Sequence, residues 1–226
     1  MKIDFATLET CAGADGMVVA VDVLRAFSTA AYAFGRGVGD IILVGELEEA
    51  RALKQQHPGW LVMGEVDGKV PPGFDLGNSP HQLQTVEIGG RRLIQRTSAG
   101  TQGVVRSIHA HDIVCASFVV ASATVKYIRS VGAQRVTFVI TGGGHNQEDL
   151  ACAEYLELLL CGRQPNPAPF LKRVLESQDA QYHLDPMRVG FPIEDLDYCT
   201  RVDAFPFAMP VFREGGMFLM RALMLG

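Results

Sequence analysis

Short, continuous apolar runs alternate with helical patterns along this chain, and this alternation restricts its possible folds more than any other feature. The clearest run, MVVAVDVL at 17–24, is unbroken and rich in β-branched residues, as in strands that are buried on both faces. The sequence therefore predicts an α/β fold, with a mixed, mostly parallel sheet and helices on both faces. The predicted strands are 17–24, 40–45, 60–66, 91–98, 112–118 and 135–142.

The predicted helices lie between these strands, and the chain of 226 residues is long enough to bury a sizeable core. We expect one domain over 1–226, or two tightly joined lobes. The segment DGKVPPGFDLGNSP (67–80) fits neither pattern, since glycine and proline interrupt it repeatedly. Its Phe-Asp-Leu centre favours an ordered loop over a linker. The apolar tail at 215–226 predicts either a final core element or a contact in a homo-oligomer.

Composition excludes several classes of partner. The net charge is −5 and no run of lysine or arginine occurs, so we expect no nucleic-acid partner. No apolar stretch of about 20 residues occurs, and the first ten residues do not resemble a signal peptide, so we expect a cytoplasmic protein without a membrane partner. Five widely spaced cysteines without a CxxC pair predict free thiols.

Acids, hydroxyls and glycines follow the predicted strands. Ligands of open α/β sheets bind beyond the carboxyl ends of the strands, so these residues form the candidate site. Carboxylates suit Mg²⁺, and the turn TSAGT (97–101) suits a phosphate, although it is not a Walker A loop. The candidates are Asp22, Arg25, Glu65, Asp75, Asn78, Ser79, Thr97, Ser98, Gly100, Thr101, Ser122 and Asp149.

Five of these candidates also have a purely structural interpretation. Asp22 could pair with a neighbour or cap the following helix, and Arg25 could be a solvated helix residue. Glu65 and Asp75 could be solvated or cap a loop, and Asp149 could stabilise a helix dipole. The histidines His109, His111 and His145 lack convincing metal-ligand spacing and favour no zinc site.

Three stretches resemble the 2-phosphosulfolactate phosphatase family: VVAVDVLRAFSTA (18–30), GEVDGKVPPGFDLGNSP (64–80) and TSAGT (97–101). SFVVASATVKYI (117–128) and QEDLACA (147–153) support the resemblance in the same order. It implies an α/β enzyme that uses Mg²⁺ to hydrolyse 2-phosphosulfolactate, a small anionic ester, in a step toward coenzyme M. The sequence departs from the family pattern at Val66, where arginine is usual, and at Ala99, where asparagine is usual.

The resemblance and the strand-end residues together predict a set of roles. Mg²⁺ would be held by some of Asp22, Glu65, Asp75 and Asp149, and the catalytic residues would be Asp22, Arg25, Asp75 and Asp149. Either Asp75 or Asp149 would act as general base, or Asp22 would form a covalent intermediate. The substrate-binding residues would be Asn78, Ser79, Thr97, Ser98, Gly100, Thr101 and Ser122. A phosphatase for another small phosphorylated acid, or a ligand-binding protein without catalysis, remain alternatives because of Val66 and Ala99.

Overall fold

The structure is a computed structural model that describes residues 1–142 and 147–225. Its strands join into one mixed sheet, in the order β1-β7-β2-β6-β8-β9-β3-β5-β4, with β10 paired to β8. The strands are β1 (Lys2–Thr7), β2 (Met17–Val21), β3 (Ile41–Leu43), β4 (Leu61–Gly64), β5 (Leu93–Arg96), β6 (Asp112–Ala116), β7 (Arg135–Ile140), β8 (Phe207–Glu214), β9 (Met217–Met220) and β10 (Leu223–Met224).

The predicted α/β fold is confirmed, because the sheet is largely parallel. The strands β1, β7, β2 and β6 form one parallel group, and β3, β5 and β4 form another. The antiparallel hairpin β8–β9 joins the two groups. Part of the apolar tail forms β9, in which Leu219 and Met220 are buried in the core, whereas Leu223 and Met224 of β10 are exposed.

Nine α-helices are assigned within the described residues. They are α1 (Ala26–Gly35), α2 (Leu47–Gln56), α3 (Pro80–Leu83), α4 (Gly100–Arg106), α5 (Ala121–Ser130), α6 (Gln147–Leu160), α7 (Ala168–Leu175), α8 (Gln178–Leu184) and α9 (Glu194–Cys199). Alternate residues of β2 pack against different helices. Val18 and Ala20 lie in the hydrophobic cluster that contains the buried residues of α1, while Val19 and Val21 lie in the one that contains those of α5 and α6. Helices therefore cover both faces of the sheet.

The sheet curves around α1, and this curvature creates the site. Four strands lie between β2 and β5, so a flat sheet would separate them by about 24 Å. Yet Gln95 of β5 donates through Nε2 to the carbonyl oxygen of Ala26, at the start of α1, over 3.0 Å. Ala26 to Phe34 are all buried, as expected for a helix that is enclosed on every side.

Several strands are shorter than the sequence predicts. The run 17–24 is a strand only as far as Val21, because the backbone N–H of Val23 donates to Oδ1 of Asp149 instead of to a neighbouring strand. Strand β1 was not predicted, since its half-exposed residues lack a continuous apolar run. All five cysteines are free thiols, as predicted. No helix among the described residues is both long and apolar enough to span a bilayer.

Candidate active site

A cavity of about 330 Å³ lies beyond the carboxyl ends of β2, β4 and β5. Helix α8 and the loop 185–193 contribute the other side of its wall. Four carboxylates, two guanidinium groups and one imidazole are among its lining side chains, so the wall is rich in ionisable groups. They belong to Asp22, Glu65, Asp67, Asp179, Arg25, Arg188 and His183.

Asp22 follows β2 directly and is 6% exposed. Its Oδ1 atom accepts a hydrogen bond from the N–H of Ala26 over 2.7 Å, which caps the start of α1. Burial raises the pKa of Asp22 to about 7, and repulsion from Glu65 and Asp179 acts in the same direction. A carboxylate that is buried among other acids is a suitable partner for a cation.

Glu65 connects the two loops that follow β4 and β5. Its Oε1 accepts from the N–H of Ser98 over 2.6 Å, and its Oε2 accepts from the N–H of Gly68 over 2.7 Å. The hydroxyl of Ser98 donates to Oε2 over 3.2 Å. The carboxylate therefore fixes the position of the 97–101 turn relative to the 65–70 loop, while it also lines the cavity.

The turn TSAGT uses its two threonines internally. The N–H of Thr97 donates to Oγ1 of Thr101, and the N–H of Thr101 donates to Oγ1 of Thr97, over 2.9 and 3.0 Å. Both threonines are fully buried and do not line the cavity, so they hold the turn and do not contact a ligand there. Among the described residues, no acceptor is found for the N–H groups of Ala99 and Gly100. A Cβ atom on Gly100 would lie 2.8 Å from Oδ2 of Asp22, which shows how closely the turn approaches this carboxylate.

Arg25 is held by a buried ion pair with α9. Its Nη1 donates to Oδ2 of Asp195 over 2.7 Å and to the carbonyl oxygen of Gly190 over 2.9 Å. The other carboxylate oxygen of Asp195 accepts from the hydroxyl of Ser79 over 2.8 Å. Ser79 therefore orients Asp195 from outside the cavity. The neighbouring Asn78 does line it, and its buried Oδ1 has no partner in the described part of the chain.

Asp149, at the start of α6, lies behind Asp22. Its Oδ1 accepts from Val23 over 2.8 Å, and its Oδ2 lies 3.4 Å from the hydroxyl of Thr141, which is also 3.4 Å from Oδ2 of Asp22. Within the described residues it does not line the cavity. The structure thus brings Asp149 next to the predicted site, in a position that shapes the turn after β2.

Two predicted site residues lie elsewhere. Asp75 accepts from Nζ of Lys54 and from the N–H of Val62, over 2.9 and 2.8 Å, and it lines a different surface cavity. The loop 67–80 folds back along β4, where Leu76 pairs with Met63 and the N–H of Asp75 donates to the carbonyl oxygen of Val62. Ser122 is exposed at the start of α5, where Asp203 accepts hydrogen bonds from its N–H and its hydroxyl. The structure therefore corrects the predicted placement of these two residues.

Helix α8 and its flanking loop contribute residues that the sequence analysis missed. Burial raises the pKa of Asp179, while a hydrogen bond with Glu148 and the charge of Arg25 lower it in part. Burial also raises the pKa of Glu148 to about 7, and repulsion from Asp179 adds to this. Only the acidic first turn of α8 could have indicated Asp179, and such turns are common on helices that bind nothing.

The carboxylates suit Mg²⁺ only if a ligand completes its coordination. No three His, Cys, Asp or Glu side chains of residues 1–142 and 147–225 are arranged to hold an ion by themselves. Mg²⁺ in phosphoryl-transfer sites typically has one or two carboxylate ligands, with phosphate oxygens and water as the others. Asp22 and Glu65, which line one cavity, meet that requirement. His145 lies outside the described residues.

Comparisons with known proteins agree with one another. The model of the 2-phosphosulpholactate phosphatase family matches residues 6–215. A probable 2-phosphosulfolactate phosphatase of Bacillus subtilis is 31% identical, over 87% of this chain and 87% of its own length. Proteins with the same name in Carboxydothermus hydrogenoformans and Thermotoga petrophila are 35% and 33% identical, over 84% and 83% of this chain and 83% and 85% of their own lengths.

Proposed function

Because the chain belongs to the 2-phosphosulpholactate phosphatase family, and is therefore a phosphoric monoester hydrolase, we propose that it hydrolyses 2-phosphosulfolactate to sulfolactate and phosphate with Mg²⁺. One observation supports the part of the proposal that concerns Mg²⁺. The turn that leaves the N–H groups of Ala99 and Gly100 available lies directly against the carboxylate of Asp22. A divalent cation between them would remove the repulsion between a phosphate there and the ionised carboxylate of Asp22.

Asp22 and Glu65 are the proposed Mg²⁺ ligands. Both line the cavity, and they are near enough for Glu65 to raise the pKa of Asp22 by repulsion. When bound, the cation would neutralise charge on the phosphoryl oxygens and on these carboxylates. Of the two, Glu65 is the more firmly fixed, since backbone N–H groups hold both of its oxygens.

Phosphate would be held by the 97–101 turn and by Arg25. The N–H groups of Ala99 and Gly100 are its proposed donors, because the reciprocal bonds between Thr97 and Thr101 fix the turn. Within residues 1–142 and 147–225, the guanidinium of Arg25 donates only through Nη1, to Asp195 and Gly190, so its remaining donors are available for an anion. Asn78 adds an amide at the same wall.

Asp179 is the proposed general base. It lines the cavity from α8, and burial raises its pKa, so that the carboxylate accepts a proton from water more readily. Glu148 contacts Asp179 and adjusts its proton affinity without lining the cavity. These assignments differ from the sequence-based ones in replacing Asp75 and Asp149 with Asp179.

The proposal is tested by phosphate release from purified protein with and without Mg²⁺. The substrates would be 2-phosphosulfolactate and a panel of phosphate esters of other small acids, compared by kcat/KM. We expect release to require Mg²⁺ and to stop when EDTA is added. If calorimetry showed that 2-phosphosulfolactate binds tightly with Mg²⁺ but is not hydrolysed, the protein would be a ligand-binding member of the fold. A higher kcat/KM for another ester would identify that ester as the better substrate.

A further inference from the structure

Arg188 lines the same cavity from the loop 185–193, and it shares the ring of Phe191 with Arg25, whose guanidinium carbon lies 4.5 Å from the ring centroid. The guanidinium carbon of Arg188 lies 3.5 Å from the ring centroid of Tyr182 and 5.5 Å from that of Phe191. No carboxylate within the described ranges forms a salt bridge with it, whereas Arg25 is paired with Asp195. Arg188 therefore brings to the cavity a guanidinium that is not fixed by a salt bridge among the described residues, although its charge lowers the pKa of Asp179, which burial raises overall.

The aromatic platform beneath Arg188 is anchored to the loop after β4. The rings of Tyr182 and Phe191 pack edge to face, with centroids 5.8 Å apart. Phe191 in turn contacts Gly68, where an added Cβ would lie 2.4 Å from its Cζ atom. The platform therefore joins α8 to the loop that Glu65 holds. A guanidinium that lies flat on such a platform keeps its N–H donors in its own plane, where they can reach an anion.

The cavity contains more groups that can bind an anion than a single phosphate requires. Phosphate has its own proposed donors in the 97–101 turn and Arg25, on the side of the strand ends. Arg188 lies on the wall formed by α8 and the following loop, next to Tyr182. A guanidinium at that position suits a second anionic group on the same small ligand, since it can form two parallel charge-assisted hydrogen bonds to a sulfonate or carboxylate.

We propose that Arg188 is a specificity-determining residue that binds the anionic group on the carbon next to the phosphorylated one. In 2-phosphosulfolactate, the substrate of the proposed function, this group is the sulfonate. This proposal rests on the proposed function, which places the phosphate group of the substrate at the 97–101 turn and Arg25. Arg188 selects among esters and takes no part in cleavage of the phosphate bond.

The test compares three esters that differ only at this far position: 2-phosphosulfolactate with a sulfonate, 2-phosphomalate with a carboxylate, and 2-phospholactate with a methyl group. In Arg188→Gln we expect KM for the first two to rise by about 10- to 100-fold, with little change in kcat. KM for 2-phospholactate should stay within about twofold of the wild-type value. Arg188→Lys should restore part of the discrimination, because it keeps the charge but loses the two-point geometry.

Arg201→Gln is the matched control. Arg201 also stacks on a tyrosine, with its guanidinium carbon 4.7 Å from the ring centroid of Tyr198, but it does not line the cavity. This variant should leave KM for all three esters unchanged. An equal rise in KM for all three esters in Arg188→Gln, or no rise, would overturn the role of Arg188.

Equilibrium binding separates this inference from the proposed function. Calorimetric titration with sulfolactate and with lactate needs no hydrolysis. Selective loss of sulfolactate affinity in Arg188→Gln would support the inference even if the wild-type protein released no phosphate from any ester, in which case only the proposed function would fail. Equal affinity of the wild-type protein for sulfolactate and lactate would overturn the inference while leaving phosphatase activity intact.

Discussion

The Oδ2 atom of Asp195 lies 2.7 Å from Nη1 of Arg25, and both side chains are almost completely buried. The pair joins the start of α1, at the end of β2, to the short helix α9 more than 160 residues later. Because Asp195 also accepts from Ser79, the same carboxylate connects the loop 67–80 to the cavity wall. Positioning of Arg25 therefore depends on three distant parts of the chain.

Asp195→Asn should destabilise the protein, because it leaves a buried guanidinium without its countercharge. We expect the free energy of unfolding to fall by about 3 kcal/mol, measured by urea denaturation. Asp197→Asn on the same helix is the control, since Asp197 is exposed, and it should change the stability by less than about 0.5 kcal/mol. Similar stability of the two variants would show that the pair contributes no more than a surface charge does.

Gly100→Ala should impair activity because its Cβ would lie 2.8 Å from Oδ2 of Asp22 and 2.7 Å from Cβ of Ala26. The turn or Asp22 must shift, so we expect kcat/KM to fall at least about tenfold, with a loss of stability of about 1–3 kcal/mol. Gly59→Ala is the control, because a Cβ there meets no atom within 4 Å. Unchanged kinetics in Gly100→Ala would argue against a tight requirement for this contact.

Asp22→Asn and Asp75→Asn should differ sharply in phosphate release. Asp22 lines the cavity, so its variant should lose at least about 100-fold in kcat/KM, because the proposed Mg²⁺ would lose one of its carboxylate ligands. Asp75 is bound to Lys54 and Val62 outside the cavity, so its variant should keep kcat/KM within about threefold and lose about 1 kcal/mol of stability. A large kinetic effect in Asp75→Asn would return that residue to the catalytic set.

His183 should make the stability sensitive to acid. Burial lowers the pKa of His183 below its usual value, repulsion from Arg25 adds to this, and the hydrogen bond to the carbonyl oxygen of Pro192 opposes it. The folded protein binds a proton at His183 less readily than the unfolded chain does. Neutral His183 therefore makes its full contribution to the free energy of unfolding above about pH 6.5, and this contribution is lost as the pH falls through the lowered pKa.

The thermal midpoint of His183→Gln should therefore fall less steeply than that of the wild-type protein between about pH 7.5 and pH 5. The comparison concerns the slope, because the substitution also changes the hydrogen bond to Pro192. His109→Gln is the control, since His109 is exposed and should leave the slope unchanged. Parallel profiles of His183→Gln and the wild-type protein would show that His183 does not contribute to acid sensitivity.

The sequence located part of the site because strand ends have a recognisable pattern. Asp22 and Glu65 directly follow continuous apolar runs, and parallel strands bring such residues to one edge of a sheet. Asp75 also follows a strand, but the loop around it folds back along β4, and no local pattern encodes that direction. Asp179 and Arg188 lie in an ordinary polar helix and the loop after it, so nothing in their own segment distinguished them from solvent-exposed residues.

The sequence by itself determined the α/β architecture, because buried strands and amphipathic helices leave local periodicities that neighbouring residues are sufficient to reveal. It also predicted that carboxylates and a turn suited to an anion lie at strand ends. The tertiary structure alone decided which of these residues meet. The curvature of the sheet around α1 brings the 97–101 turn to Asp22, and the packing of Phe191 on Gly68 brings Arg188 to the cavity. These contacts join segments far apart in the chain, and their geometry depends on packing that no single segment contains.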